Sequence, residues 1–213
     1  MSLDLFGNIT PIETALAGVS LLKEFALKNE AILLADLATI VTQAPFRHMV
    51  TPSGFAMSVA MTNCGELGWV TDRQGYRYTQ LDPLTQASWP AMPASFLTLS
   101  RAAAFTAGYA DFTPDACLIN RYQTGARMGL HQDKNERDFT QPIVSVSLGV
   151  PAMFQFGGFK RADKALSFPL YHGDVVVWGG DARLRYHGIL PLKANVHPAL
   201  GKVRINLTFR KAG

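Results

Sequence analysis

The chain has 213 residues, of which 48% are apolar and 17% are charged. This composition excludes a largely disordered protein, and the length predicts one domain with a substantial core. The longest uncharged stretch, residues 139–159, is broken by proline and glycine, so it predicts strands and not a membrane span. Two cysteines, Cys64 and Cys117, are too few for a disulfide framework, and no secretory signal is recognisable. Together these features predict a cytoplasmic protein.

The net charge of +4 is unevenly distributed along the chain. Residues 1–106 carry a net charge of −2, whereas residues 107–213 carry +6. A basic half is compatible with an anionic partner such as nucleic acid, although an ordinary solvated basic face explains the same count.

The pattern of apolar residues predicts helices first and strands afterwards. Residues 29–44 have helical spacing, with Asn29 as a plausible cap, and a second helix is predicted from about Pro93 to Ala107. Between them, residues 46–78 mix glycines with aromatic residues and arginines, which predicts short strands and exposed loops. Six strands are predicted after Pro114: Ala116–Tyr122, Ile143–Val150, Ala152–Phe156, Val175–Trp178, Tyr186–Leu190 and Val203–Phe209. This order predicts an α+β fold with a sandwich or barrel core.

Two His-x-Asp units are candidate metal-binding motifs, because residues two apart on an extended segment point the same way. In His172-Gly-Asp174 the glycine and aspartate precede an apolar strand, which predicts a structural turn. His131-Gln-Asp133 lies in a polar stretch, and His187 follows on a later predicted strand. Two histidines and one carboxylate form the facial triad of non-haem Fe(II) oxygenases. The His-x-Asp motif alone is weak, and a structural role is its commoner explanation.

The last predicted strand alternates apolar and polar side chains. Its polar face carries Arg204, Asn206, Thr208 and Arg210. Guanidinium groups are costly to bury without partners, but facing a cavity they would form a site for carboxylates. The alternative is a solvent-exposed strand face. Asn120 and Tyr122 share one face of the strand before His131, so the polar residues resemble the site of a 2-oxoglutarate-dependent oxygenase.

Four segments together resemble the AlkB family of nucleic-acid repair dioxygenases. They are Asn120-Arg-Tyr122, His131-Gln-Asp133, Tyr186-His187-Gly188 and the closing run from Arg204 to Arg210. The resemblance implies a single dioxygenase domain, residues 1–213, with N-terminal helices and a double-stranded β-helix, or jelly-roll, core. Residues of about 46–80 would form a nucleotide-recognition lid, and residues of about 115–213 the metal and co-substrate core.

The resemblance also implies the cofactors and the reaction. Fe(II) would be bound by His131, Asp133 and His187. The distal carboxylate of 2-oxoglutarate would be bound by Arg204, Asn206 and Tyr122, and the carboxylate next to its keto group by Arg210 and Asn120. With O2 as the other co-substrate, the implied activity is oxidative demethylation of 1-methyladenine or 3-methylcytosine in DNA or RNA. The products would be formaldehyde, succinate, CO2 and the repaired base.

A base inside a duplex is unreachable, so the implied substrate is single-stranded nucleic acid or a flipped-out base. By resemblance, Trp69 would stack on that base opposite the His131 ring. The other implied contacts are Tyr76 and Thr51 to the nucleic-acid backbone, Met61 in the lid and Arg161 near the base or strand. The position and charge of Lys134 indicate that it could reach a phosphate. Asn135 departs from a bacterial member that the chain resembles, which carries an acid there. An amide would pair less strongly with a cationic base, so the resemblance implies a changed preference among alkylated bases.

Two other functions remain open from the sequence. The same chemistry could act on a protein side chain or a small molecule, or the chain could be a non-catalytic nucleic-acid-binding jelly roll. The aromatic and basic segment 46–78 argues against the first alternative, and the complete ligand and arginine set argues against the second. Nothing in the sequence requires a protein partner or a membrane, so we expect a monomer.

Overall fold

The computed structural model describes residues 17–213. The acidic residues before position 17, on which the expectation of no secretory signal depends, lie outside this range. The helices are α1 (Glu30–Gln43) and α2 (Ala94–Thr106). The strands are β1 (Val19–Leu22), β2 (Arg47–Val50), β3 (Ala56–Gly65), β4 (Gly68–Asp72), β5 (Gly75–Thr79), β6 (Ala116–Tyr122), β7 (Met128–His131), β8 (Ile143–Gly149), β9 (Ala152–Phe156), β10 (Leu166–Leu170), β11 (Val175–Trp178), β12 (His187–Ile189) and β13 (Arg204–Arg210).

Two antiparallel sheets form the core. The larger sheet has the strand order β1-β11-β8-β13-β6-β3-β2, and the smaller has the order β10-β9-β12-β7. Apolar side chains from both sheets pack against one another, among them Met61 and Tyr122 from the larger sheet and Phe154 and Ile189 from the smaller. This arrangement is the double-stranded β-helix of the predicted fold, and the α+β class is confirmed.

The two helices cover the outer face of the larger sheet. Buried residues of α1 and α2, including Leu33 and Phe96, pack against the apolar face of β13 through Leu207 and Phe209. Because side chains alternate along a strand, the polar residues of β13 then point into the space between the sheets. No helix within residues 17–213 combines the length and the apolar character needed to cross a bilayer.

Most predicted elements agree with the structure, and the differences have physical reasons. Three strands, β1, β7 and β10, were not predicted. Asn29 does not cap α1 through its side chain, because a 3-10 turn, Leu27–Asn29, leads directly into the helix. The segment predicted as a lid contributes β2 and β3 to the larger sheet, and only β4 and β5 form a separate two-stranded sheet.

The turn His172-Gly-Asp174 is structural, as predicted. Asp174 is fully buried and accepts hydrogen bonds from Lys23 Nζ and from the backbone N–H groups of Glu24 and Tyr171. Gly173 has a φ of +85°, and a Cβ atom there would lie 2.5 Å from the Leu27 side chain. The motif therefore closes a tight turn that joins β10 to β11.

The His172 imidazole packs between three groups from other elements. Its Nδ1 atom accepts the backbone N–H of Gly149 at 2.8 Å, its Nε2 atom lies 3.2 Å from Glu30 Oε1, and its ring stacks on His197 with centroids 4.1 Å apart. Burial and the neighbouring His197 lower the pKa of His172, and Glu30 opposes this shift. The folded protein therefore favours the neutral ring.

We expect His172→Asn to reduce the loss of stability in acid. A lowered histidine pKa gives stability that is complete above the unfolded pKa of about 6.5 and is lost as the pH falls below it. The asparagine amide oxygen can still accept the Gly149 N–H but does not titrate. Urea unfolding at pH 5 to 8 should therefore show a shallower acid decline for this variant than for the wild type. Parallel stability profiles would contradict the prediction, and the exposed His48→Asn is the matched control.

Candidate active site

A cavity opens between the two sheets on the polar face of β13. Its wall contains all of the residues predicted to bind metal and co-substrate. The lining residues are Met61, Trp69, Leu118, Asn120, Tyr122, Met128, His131, Asp133, Ser145, Phe154, Trp178, His187, Gly188, Ile189, Arg204, Asn206, Thr208 and Arg210. All eight residues predicted to bind iron or 2-oxoglutarate are therefore in one cavity.

His131, Asp133 and His187 converge at one end of this cavity. The Nε2 atom of His131 lies 3.7 Å from Asp133 Oδ1, and the Nε2 atom of His187 lies 3.5 Å from Asp133 Oδ2. The convergence follows from the sheet, because β7 and β12 pair with His131 directly opposite His187. Gly188 permits this approach, since a Cβ atom there would lie 2.7 Å from the Met128 carbonyl oxygen.

Both imidazoles are held in the tautomer that a metal requires. The Nδ1 atom of His131 lies 2.9 Å from the Gly129 carbonyl oxygen, and that of His187 lies 3.1 Å from the Arg185 carbonyl oxygen. A carbonyl can only accept, so each Nδ1 donates a proton to the backbone, and Nε2 is the ring nitrogen that faces Asp133. Desolvation, followed by the proximity of His187, lowers the pKa of His131 to about 4, so this ring is neutral at pH 7. The donor set fits Fe(II).

Arg210 neutralises the carboxylate in this cluster. Its Nη2 and Nε atoms donate to Asp133 Oδ2 at 2.6 Å and 3.1 Å. Burial alone would raise the pKa of Asp133, but Arg210 and then His187 hold it well below its usual value. Asp133 is therefore ionised, as a metal ligand must be.

A second guanidinium lies in the same cavity and forms no ion pair with any residue of the described range, 17–213. Arg204 is 1% exposed, and its Nη2 atom donates to Ser147 Oγ at 2.9 Å. Its Nε and Nη1 groups are buried and have no hydrogen-bond partner among the residues described. Burial lowers the pKa of Arg204, whereas Tyr122, whose ring centroid lies 5.0 Å from the guanidinium carbon, opposes this. A buried cation with free donors is suited to a carboxylate ligand.

Amide side chains complete this part of the wall. Asn206 donates through Nδ2 to Ser145 Oγ at 2.8 Å and to the Val146 carbonyl at 3.0 Å. Its Oδ1 atom accepts from Asn120 at 3.3 Å and from Thr208 at 2.9 Å. These bonds fix the orientation of both amides, so the wall is formed before a ligand arrives.

The small β4–β5 sheet brings aromatic side chains to the opening of the cavity. Trp69 lies on β4 and stacks on Tyr76 of β5 with centroids 5.7 Å apart. Its indole Nε1 donates to Asn135 Oδ1 at 3.2 Å, which connects the sheet to the loop after Asp133. Trp69 lines the cavity together with His131, whereas Tyr76 is 48% exposed outside it.

The other predicted substrate residues occupy different positions. Met61 is fully buried on β3 and lines the cavity. Thr51 lies in the β2–β3 turn, where its hydroxyl accepts the Phe55 N–H. Lys134 is exposed next to Asp133, and Arg161 is exposed with its guanidinium 5.8 Å from the Tyr186 ring. These three residues therefore lie outside the cavity wall.

Several cavity residues were not predicted. Trp178 packs on His187 with ring centroids 4.9 Å apart, and Ser145 and Ser147 bond to the amide and guanidinium groups above. The two serines could have been found, because they alternate with valines on an apolar strand and therefore share one face. Glu136 and Arg183, which form a buried ion pair beneath Asp133, gave no comparable local signal.

Residues 17–213 contain a second group of potential metal ligands, but the hydrogen bonds of this group are unsuited to binding a metal as the His131 cluster can. Glu30, His172 and His197 also bring three donor atoms together. Here the Nδ1 atom of His172 accepts a backbone N–H, so the neutral ring carries its proton on Nε2, where a metal would bind. Of the two groups, the His131 cluster alone directs the Nε2 atoms of two histidines at one buried carboxylate.

Known proteins share this fold and sequence. The model of the 2OG-Fe(II) oxygenase superfamily matches residues 18–210. The Salmonella typhimurium protein named Alpha-ketoglutarate-dependent dioxygenase AlkB is 59% identical over 211 residues, which are 99% of this chain and 98% of that protein. The Escherichia coli protein of the same name is 58% identical over 212 residues, with the same coverage of 99% and 98%. A solved structure of OsALKBH1 superposes with a TM-score of 0.79 at 28% identity, covering 91% of this chain and 96% of that one. The chain belongs to the 2OG-Fe(II) oxygenase superfamily and, within it, to the AlkB dioxygenases.

Proposed function

We propose that this dioxygenase repairs alkylated nucleic acid directly, by oxidative demethylation of bases of the 1-methyladenine and 3-methylcytosine type. As a member of its superfamily, the enzyme uses Fe(II), 2-oxoglutarate and O2. One observation supports the proposal above all. The His131, Asp133 and His187 cluster and the buried Arg204 guanidinium line the same cavity, and Trp69 of the β4–β5 sheet lies at its opening. Formaldehyde, succinate and CO2 are the products.

In this proposal the iron is held by the Nε2 atoms of His131 and His187 and by the Asp133 carboxylate. When bound, the iron and 2-oxoglutarate supply the oxidising chemistry that hydroxylates an N-methyl carbon, after which the hydroxymethyl group leaves as formaldehyde. The protein residues hold the ligands and exclude water. The backbone carbonyls behind both imidazoles accept from Nδ1 and leave Nε2 as the nitrogen that faces the iron site.

The co-substrate is oriented by two guanidinium groups at different depths. Arg204 binds the distal carboxylate with Asn206 and Tyr122, because its unpaired N–H groups are already desolvated. Arg210 and Asn120 bind the carboxylate next to the keto group, beside Asp133. Two cations along one cavity select a ligand with an anionic group at each end.

The substrate enters from the side of Trp69. The alkylated base stacks between the Trp69 ring and the His131 ring, with Met61 behind it, which favours a cationic methylated base over a neutral one. Thr51, Tyr76, Lys134 and Arg161 contact the strand outside the cavity. Single-stranded DNA or RNA, or a duplex with the base flipped out, satisfies this geometry.

The proposed unit is one dioxygenase domain that acts as a cytoplasmic monomer. The lid of residues of about 46–80 supplies Trp69 and Tyr76, and the core of residues of about 115–213 supplies the ligands. The proposal includes no obligatory protein partner.

We expect His131→Ala to abolish formaldehyde release from a methylated oligonucleotide, because one of three metal ligands is lost. The assay contains Fe(II), 2-oxoglutarate and O2, with the mass of the base followed in parallel. His197→Ala, which removes a histidine from the surface cluster, is the control and should retain activity. Full activity of His131→Ala would refute the ligand assignment. A second measurement follows the affinity of the wild-type enzyme for a single-stranded oligonucleotide as the salt concentration rises. If the enzyme forms succinate but this affinity does not fall, the substrate is a protein or a small molecule instead.

We expect Arg204→Met to weaken 2-oxoglutarate binding by roughly 10–100-fold, because charge-assisted hydrogen bonds to the carboxylate are lost. The enzyme without co-substrate should keep its melting temperature, since the variant removes a buried cation that lacks a counter-charge. Thermal shift with increasing 2-oxoglutarate measures both quantities. An unchanged response to 2-oxoglutarate would show that Arg204 does not face the co-substrate.

We expect Asn135→Asp to change the ratio of rates on methylated adenine and methylated cytosine. Asn135 accepts from Trp69 beside the opening of the cavity, and a carboxylate there can pair with a cationic base or accept from its exocyclic amine. Iron binding should be unaffected. The rates are compared on matched oligonucleotides, and equal ratios in both proteins across several lesions would contradict the prediction.

A further inference from the structure

Strand pairing fixes only part of the metal cluster. His131 and His187 sit opposite each other on β7 and β12, so the ladder sets their separation. Asp133 lies two residues beyond the end of β7, in a loop that belongs to no sheet. Another interaction must therefore hold this residue at its distance from His187.

Arg183 joins the loop that carries Asp133 to the segment that precedes His187. It lies in the turn before β12 and is 2% exposed. Its Nη1 atom donates to the backbone carbonyl of Asp133 at 2.8 Å, its Nη2 atom to Glu136 Oε2 at 3.0 Å and its Nε atom to the Gln141 carbonyl at 3.0 Å. One side chain thus binds three points of the loop that carries Asp133.

The bonds of Arg183 are part of a larger buried network. Glu136 also accepts from Tyr78 Oη at 2.5 Å and lies 3.5 Å from Arg210 Nε. Arg210 in turn bonds the Asp133 carboxylate. Asp133 is consequently held at both ends, its carbonyl by Arg183 and its carboxylate by Arg210, and both guanidinium groups share Glu136.

We propose that Arg183 is a positioning residue that sets the place of Asp133 relative to His187, and thereby the affinity of the site for its metal. This inference rests on the proposed ligand set. A planar guanidinium can donate in three directions from a fixed frame, whereas a lysine ammonium is a point charge on a flexible stem. Arg183→Lys therefore keeps the positive charge beside Glu136 and loses the three-point link.

Anaerobic binding of Mn(II) alone, followed by electron paramagnetic resonance and by calorimetry, tests the inference without turnover. Arg183→Lys should lower the Mn(II) affinity by about 10–100-fold, the usual effect of removing a partner that orients a ligand. Arg101→Lys, on the exposed side of α2, is the matched control and should bind Mn(II) as the wild type does.

Arg183→Met combined with Glu136→Gln separates positioning from folding. Neutralising a buried ion pair as a whole is far less destabilising than leaving one charge alone, and the amide oxygen of the substituted side chain can still accept from Tyr78. This double variant should melt close to the wild type yet also bind Mn(II) weakly. Mn(II) affinity equal to that of the wild type in either folded variant would overturn the inference. If His131→Ala binds Mn(II) as tightly as the wild type does, the ligand assignment is wrong, and this inference with it.

Discussion

The ionised carboxylate of Asp133 is the charge on which the rest of the site depends. It is almost fully buried between two sheets, where an unpaired anion would be too costly to keep. Arg210 supplies the opposite charge, Glu136 balances Arg210, and Arg183 balances Glu136. Each group is acceptable in the interior only because the next is present, so the cavity is organised by a short chain of alternating charges.

The direction of a single hydrogen bond separates the metal cluster from a similar group of residues elsewhere. His131 and His187 donate from Nδ1 to carbonyl oxygens, whereas His172 accepts a backbone N–H at the same atom. Ligand identity and distance alone would rank the two clusters alike. The backbone behind the ring decides which nitrogen is free, and therefore which histidines can bind a metal.

Much of the fold and the site could be predicted because the relevant signals are local. Alternation along β13 predicted a shared face for Arg204 and Arg210. The spacing of His131 and Asp133 gave only a candidate metal motif, which the resemblance of four segments to one family singled out from the equally spaced His172 and Asp174. The ten-residue strand β3 was not recognised as part of the main sheet, because its residues 59–64 are all buried and show no alternation. The role of Arg183 could not be predicted for a different reason, because its hydrogen-bond partners lie 42, 47 and 50 residues away along the chain.

In the part of the chain that the structure describes, the β4–β5 hairpin shares no ladder hydrogen bonds with either large sheet. Its backbone is joined to β3 through the Asn63 side chain, whose amide donates to the Trp69 carbonyl and accepts the Trp69 N–H, both at 3.0 Å. The Asn63 amide thus makes the donor and acceptor bonds that a neighbouring strand's backbone would make, and it holds the hairpin against β3 beside the cavity. The Thr71 hydroxyl adds a bond to the Val50 carbonyl, so side chains and not strand pairing attach this hairpin to the larger sheet, and its sequence is free of the register that binds the other strands.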